Sequence, residues 1–229
     1  MTTTAPPVAP LSPLAAGAAA LRRFWRPFLL IQAGAVVLAL AFRVSPGFRQ
    51  AAEAAAAWKA SGGLSFAAIT CAVAGGLLPE LAKLLAMGPG TLRGRAGEVA
   101  FNTAFFAADG IVVDFLYRGE AGLFGAAGSA GTVIEKVAFG QFVFTPTWSV
   151  AIVLLFLWRQ RGFSAAAVRP VLRRGFYAER VIPLLLPNWL FWIPMVSVIY
   201  ALPSALQFLM FIPALAAWSL IMVFIADRG

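Results

Sequence analysis

LLLPNWLFWIPMVSVIYALPSALQFLMFIPALAAWSL, residues Leu184–Leu220, is a long apolar run punctuated by Asn188, Trp189, Trp192 and the prolines Pro187, Pro194, Pro203 and Pro213. Each proline removes a backbone donor and disfavours an unbroken helix, so a soluble core seldom holds them this close together. In a bilayer such interruptions are tolerated, because neighbouring helices and side chains satisfy the freed carbonyls. The run exceeds one crossing, and the break at Leu202 and Pro203 divides it into two spans. On this reading Asn188 caps a helix that starts after Pro187, and Pro194 bends the next turn. Trp189 and Trp192 suit the headgroup boundary, where an indole buries its face and keeps its N–H wet.

Outward from that stretch the same solvent is implied. Of 229 residues, 61% are hydrophobic and 12% charged, with mean hydropathy +0.86. A globular domain carries about twice that charged share and needs it to cover a core. Further apolar stretches run over 27–42, 64–87, 99–116 and 137–158. The expected fold is therefore all-α: a polytopic transmembrane bundle with helices at about 27–42, 62–87, 98–117, 136–158, 183–201 and 204–226. These belong to a single membrane-embedded domain, 21–229, behind a mobile Thr/Ala/Pro-rich arm over residues 1–20.

The net charge of +9 does not point to nucleic acid, because the basic residues fill the gaps between apolar runs. Six crossings put Arg22, Arg23, Arg26, Lys83, Arg93, Arg95, the arginines from Arg159 to Arg180, and Arg228 on one side. Arg43, Arg49, Lys59, Arg118 and Lys136 fall on the other. The positive-inside rule then sets both termini in the cytoplasm of a bacterium with this protein in its inner membrane. An organelle membrane, mitochondrial inner or peroxisomal, is the alternative. The segment RQRGFSAAAVRPVLRRGFYAER, before the fifth helix, is expected along the interface, held by anionic headgroups and by Phe176 and Tyr177.

Histidine is absent and Cys71 is the one cysteine. Histidine-based triads and dyads, histidine-ligated zinc and an intrachain disulfide are all excluded. No catalytic residue, metal site or cofactor is assigned, and the chain is read as a non-enzyme. An aspartyl protease needs facing carboxylates, whereas Asp109 and Asp114 share one helix and diverge by about 140° at 100° per residue.

Polar residues at depth are the candidates for a functional site. In GEVAFNTAFFAADGIVVDFLYR, Asn102 and Asp109 lie seven apart on one helix face. A carboxylate at that depth costs at least about 2.5 kcal/mol unless it meets partners or water. Gln141 and Thr145, four apart before Pro146, can bond a neighbouring helix. Helix clamping and a wetted path both fit these residues. In the second helix, which Ser61 is expected to cap, Ala67, Cys71 and Gly75 repeat every fourth residue, as do Ala68, Ala72 and Gly76. Such small-residue faces serve helix packing, and equally the association of copies. Pro79 permits a kink near Glu80 and Lys83, which pair or snorkel at the interface.

NWLFWIP, MVSVIYALP and FIPALAAWSL, with Asn188, Trp189, Trp192, Pro194, Pro203 and Trp218, resemble the family of the peroxisomal twenty-two-kilodalton membrane protein and the mitochondrial inner-membrane protein Mpv-seventeen. EKVAFGQFVFTPTW is similar to that family's lysine, aspartate-glutamine and proline pattern, with Gly140 standing where the aspartate would be. The resemblance implies a small multi-helix membrane protein and, for some members, a poorly selective channel for small metabolites. Two functions are expected from the whole reading. The first is a channel or pore-like protein for small solutes or ions, with Asn102, Asp109, Asp114, Gln141 and Thr145 as the intramembrane polar candidates. The alternative is a non-conducting structural or assembly protein that docks a membrane partner.

Overall fold

Ser45 begins the helix that hydropathy does not reveal. Its Oγ accepts a hydrogen bond from the Phe48 amide at 3.3 Å, and Pro46 follows at the first helical position, where its missing N–H costs nothing. The helix has no reason to stop until Gly63, whose φ of 52° lies in the left-handed region open to glycine. There the chain turns and helix resumes. Ser61 therefore caps nothing; its hydroxyl donates to the Trp58 carbonyl at 2.8 Å.

The computed structural model describes residues 13–88, 90, 94–126, 128–164 and 173–226. Their order is α1 (Pro13–Val44), α2 (Pro46–Cys71), a π-helical segment (Ala72–Leu77), α3 (Leu78–Met87), α4 (Ala96–Phe124) and α5 (Ala130–Phe139). A second π-helical segment (Gly140–Phe144) leads to α6 (Thr145–Gln160), and a third (Tyr177–Val181) to α7 (Ile182–Tyr200), before α8 (Ser204–Ala226). The described residues contain no strand, and six helical stretches are long and apolar enough to cross a membrane. The protein is an all-α integral membrane protein. Helix α1 begins at Pro13, within the arm expected to be mobile, and the expected basic contacts of Arg93, Arg169 and Arg228 fall outside the described residues. Pro46–Ala86 is a 41-residue helical stretch, roughly 60 Å at 1.5 Å per residue, about twice a bilayer core, so the turn at Gly63 separates its amphipathic start from its crossing.

Two compact units divide the chain. One holds Gln141–Trp192 together with the chain up to Arg26. Its core joins Val153 of α6, Phe176, Val181 and Leu185, with Trp189 packed against them. Phe176 is thus buried and not an interfacial anchor, whereas Tyr177, Arg173, Arg174 and Arg180 are exposed. The start of α7 departs from expectation too. Helix continues from the π-helical turn at Tyr177 straight through Pro187, so Asn188 lies within α7 and does not cap it. The Trp189 indole donates to the Gln141 carbonyl at 2.7 Å, and Trp192 is buried with its ring edge-on to Phe191. Neither indole is a wet boundary residue. Helix α7 does end at Tyr200, and Pro203 precedes α8, as the proline pattern requires.

The other unit comprises Pro27–Gly140 and Ile193 onward. Its centre is α2 and the following π-helical segment against α4, and glycine sets the spacing. A Cβ on Gly110 would meet the Ala67 carbonyl oxygen at 2.5 Å and Cys71 Cβ at 2.6 Å; one on Gly76 would meet Thr103 Cα at 2.7 Å. A Cβ on Gly75 would strike the Phe106 ring. The small-residue face Ala67, Cys71, Gly75 is consequently buried against α4 of the same chain. Packing at such contact supplies the attraction that apolar burial cannot supply in lipid. Outward, Leu30, Ile69, Leu85, Phe115 and Ile134 present apolar side chains to the bilayer.

Gly110→Ala is expected to lose about 1–3 kcal/mol through overpacking and to lower the thermal unfolding midpoint in detergent. Gly119, exposed with nothing near its missing Cβ, is the control. Gly119→Ala raises or preserves the midpoint, because alanine is the better helix former.

Candidate functional site

Helix α4 carries the polar residues that matter, and its partners decide their state. Asp114 is fully buried. Lys59 Nζ, from α2 one turn before Gly63, donates to its Oδ1 at 2.5 Å, and Arg118 on the next turn of α4 reaches Oδ2 at 2.6 Å. The Lys59 ammonium also lies 5.1 Å from the centroid of the Phe208 ring of α8. A carboxylate, an ammonium, a guanidinium and a ring face thus meet where α2, α4 and α8 come together, and the carboxylate's charge is compensated in place. This is an anchor for three helices; Asp114 is committed to it and is not a free group on a pore wall.

Asp109 is buried one and a half turns deeper, within electrostatic reach of Cys71. Asn102 is half-buried on the same face. Gln141 and Thr145 belong to the other compact unit. There the Gln141 side chain is buried, its Oε1 has no hydrogen-bond partner among the described residues, and its backbone carbonyl holds Trp189. Of the residues resembling family motifs, Asn188, Trp189, Trp192, Pro194 and Pro203 occupy α7 and the turn after it. Trp218 is half-buried in α8.

A second buried polar cluster went unread in the sequence. Glu120, one turn before the end of α4, is 1% exposed, and Lys136, in the second turn of α5, is 0% exposed. Tyr200, the last residue of α7, is 2% exposed. The Lys136 ammonium sits 5.7 Å from the Tyr200 ring centroid. At Gly140 a Cβ would stand 3.0 Å from Glu120 Oε1 and 3.4 Å from the Tyr200 hydroxyl, so glycine leaves an oxygen-lined gap there. Beyond the Tyr200 hydroxyl that faces Glu120, neither carboxylate oxygen nor Lys136 Nζ has a hydrogen-bond partner among the described residues. Close by, Gln207 of α8 is fully buried and donates to the Leu202 carbonyl at 3.0 Å. Tyr117 closes the cluster, its ring edge-on to Tyr200 with centroids 5.6 Å apart.

One signal in the sequence would have found Glu120. It lies 18 residues after Asn102, five whole turns at 3.6 residues per turn, and so on the same line along the helix. Asp109 departs from that line by roughly 20°. Asn102, Asp109 and Glu120 therefore form a polar ladder about 27 Å long, close to the roughly 30 Å of a hydrocarbon core. An open groove of about 640 Å³ lies on another side of α4, lined by Leu77, Ala96, Val99, Ala100, Thr103 and Ala107. Its apolar lining suits acyl chains.

At the opposite end of α4, Glu80 is paired. Lys83 Nζ donates to it at 3.1 Å and Arg95 at 3.3 Å, while Arg95 also holds Glu98 through Nε at 2.9 Å. The Glu98 hydrogen bond, outweighing a smaller desolvation, raises the Arg95 guanidinium above its ordinary value, and it stays charged. Among the described residues no group of histidine, cysteine, aspartate or glutamate is arranged to hold a metal. Compared with known proteins, the chain matches no family model, no curated protein and no solved structure.

Asp114→Asn leaves two cations without their anion. It is expected to cost about 1–3 kcal/mol, less than for a fully buried pair because Lys59 and especially Arg118 keep some access to solvent. Lys59→Met added to Asp114→Asn should recover part of the loss, which a double-mutant cycle on thermal unfolding in detergent checks.

Proposed function

We propose that this integral membrane protein is a permeation protein, a channel or pore-like path for small polar solutes or ions, with no catalytic step. One observation carries the reading: the ladder Asn102, Asp109, Glu120 runs along one face of a single spanning helix for nearly the depth of the hydrocarbon. Buried ionisable groups are costly in a bilayer and mark ion or solute paths by default. Fixed helix clamping accounts for Asp114, which is doubly paired, but not for Glu120, which closes no salt bridge among the described residues. The resemblance to the Mpv-seventeen family carries the same expectation. The alternative, a non-conducting assembly protein, loses the feature that suggested it, since the Ala67, Cys71, Gly75 face is filled by α4.

With this function go a location and partners. The arginines from Arg159 to Arg180 contact anionic headgroups, and both termini face the cytoplasm of a bacterial inner membrane or its organelle equivalent. A carboxyl-terminal fusion to green fluorescent protein is then fluorescent, and a fusion to alkaline phosphatase inactive; the reverse pattern overturns the orientation.

Purified protein in planar bilayers is expected to show discrete openings. Asp109→Asn shifts the preference for cations over anions several-fold toward anions, because the charge on the path is gone. Electrical silence and the absence of solute leak from liposomes, for protein shown to be folded, overturn the reading.

A further inference from the structure

We propose that Glu120, Lys136 and Tyr200 form a proton-binding site, in which Glu120 takes up and releases a proton at the gap left by Gly140. The inference rests on this buried cluster and not on permeation.

A carboxylate and an ammonium taken out of water need excellent mutual geometry and further hydrogen bonds to offset their lost hydration. Here the burial is nearly complete and the compensation is thin: beyond the Tyr200 hydroxyl that faces the carboxylate, Oε1, Oε2 and Nζ have no hydrogen-bond partner among the described residues, and the ammonium and carboxylate do not close into a salt bridge. The two charges are therefore poorly compensated, and protonating the carboxylate lies close in free energy. By contrast Asp114, fully buried on the same helix, has two cations at 2.5 and 2.6 Å.

Place and shape agree. Glu120 lies four residues from the end of α4, about 6 Å along the axis, so hydronium in the water at that surface is the proton donor. The step is an addition without redox change. A hydronium O–H bond breaks, an O–H bond forms on Glu120 Oε1, water leaves, and the cluster passes from net neutral to net positive. The Tyr200 hydroxyl, facing the same gap, accepts a hydrogen bond from the new acid. Gly140 is also where α5 gives way to π-helical winding, a local irregularity common at functional positions. Any larger residue would place its Cβ against both oxygens.

The charged and titratable neighbours are few. Lys136 faces Glu120 from α5, Tyr200 from the end of α7 and Tyr117 from one turn back on α4 itself. Helix α8 presents the neutral Gln207, and the cation of α2, Lys59, is engaged by Asp114. Arg118 reaches Asp114 and is half-exposed.

Difference infrared spectroscopy across a pH titration of the full chain in lipid nanodiscs tests the site, since a buried carboxylic acid gives a carbonyl stretch that a carboxylate lacks. A carbonyl band is expected to grow as pH falls, to vanish in Glu120→Gln and to persist in Asp109→Asn. In Lys136→Met the band is already present at the alkaline end, because the anion has lost the one cation that faces it among the described residues. In Tyr200→Phe the titration moves by roughly tenfold to a hundredfold in proton concentration, the worth of a hydrogen bond to a charged group. A band that does not change with pH, or that survives in Glu120→Gln, overturns the proposal. If Glu120→Gln does not fold, an unchanged titration in both Lys136→Met and Tyr200→Phe overturns it equally. Because the readout is proton uptake, a silent bilayer recording leaves the test standing, and a conducting protein without the band retains the permeation reading alone.

Discussion

Charge has to be neutralised where it sits once water is removed, and in this bundle that constraint is met only because two helices come unusually close. Lys59 reaches Asp114 at 2.5 Å from a neighbouring helix, and a Cβ at Gly110 would already collide with the α2 backbone at Ala67. Were the helices held apart at a spacing that admits ordinary side chains, the ammonium would fall short and Asp114 would be a bare carboxylate in hydrocarbon. The glycine contacts and the ion pair are thus one device. Close packing supplies dispersion attraction, and the pair fixes rotation and register, since neither helix can turn without stranding a charge.

The same logic explains the irregular winding. Three π-helical segments, Ala72–Leu77, Gly140–Phe144 and Tyr177–Val181, stand before or near prolines at 79, 146 and 183. A proline frees the carbonyl one turn earlier, and in lipid that carbonyl must find another donor. Widening the turn shifts the hydrogen-bond pattern by one residue and takes up the mismatch without breaking the helix. Around Ala72–Leu77 the wider turn also brings Gly75 and Gly76 onto α4. Around Gly140 it accompanies the gap that Glu120 and Tyr200 face.

These facts mark how far the sequence could be read. Hydropathy found the six helices that are long and apolar enough to cross, because a bilayer selects for length and apolarity before anything else, and the Leu202–Pro203 break was legible for the same reason. Pro46–Gly62 was not: its alanine-rich pattern is too polar to register as a span, and Ser61 looked like a cap when the turn belongs to Gly63 two residues on. Asn188 was misplaced because the helix it seemed to cap starts eleven residues earlier, through a π-helical turn that leaves no compositional mark. Trp189 and Trp192 fit a general preference for interfaces, yet a single carbonyl, that of Gln141, was enough to hold Trp189 inside. Lys136 was counted as a loop charge, since burial of a residue near a span's end depends on what the other chain segments bring to it, here Tyr200 from 64 positions away.

Taken along α4, the acidic residues differ by their company more than by their depth. Glu98 is held by Arg95 at the surface, Asp114 by Lys59 and Arg118, while Glu120 has one lysine opposite, the Tyr200 hydroxyl facing it and no salt bridge among the described residues. A helix needs clamps at only a few points to fix its register, and α4 has them at Arg95, which reaches Glu80 of α3, and at Asp114. Full compensation at Glu120 would add little further stability, so a third carboxylate there needs another account. An incompletely compensated carboxylate and ammonium, next to a position where a Cβ would crowd the Glu120 and Tyr200 oxygens, stand on the proposed reading between two protonation states. That is what a site needs if it is to respond to its surroundings, and what a clamp must avoid.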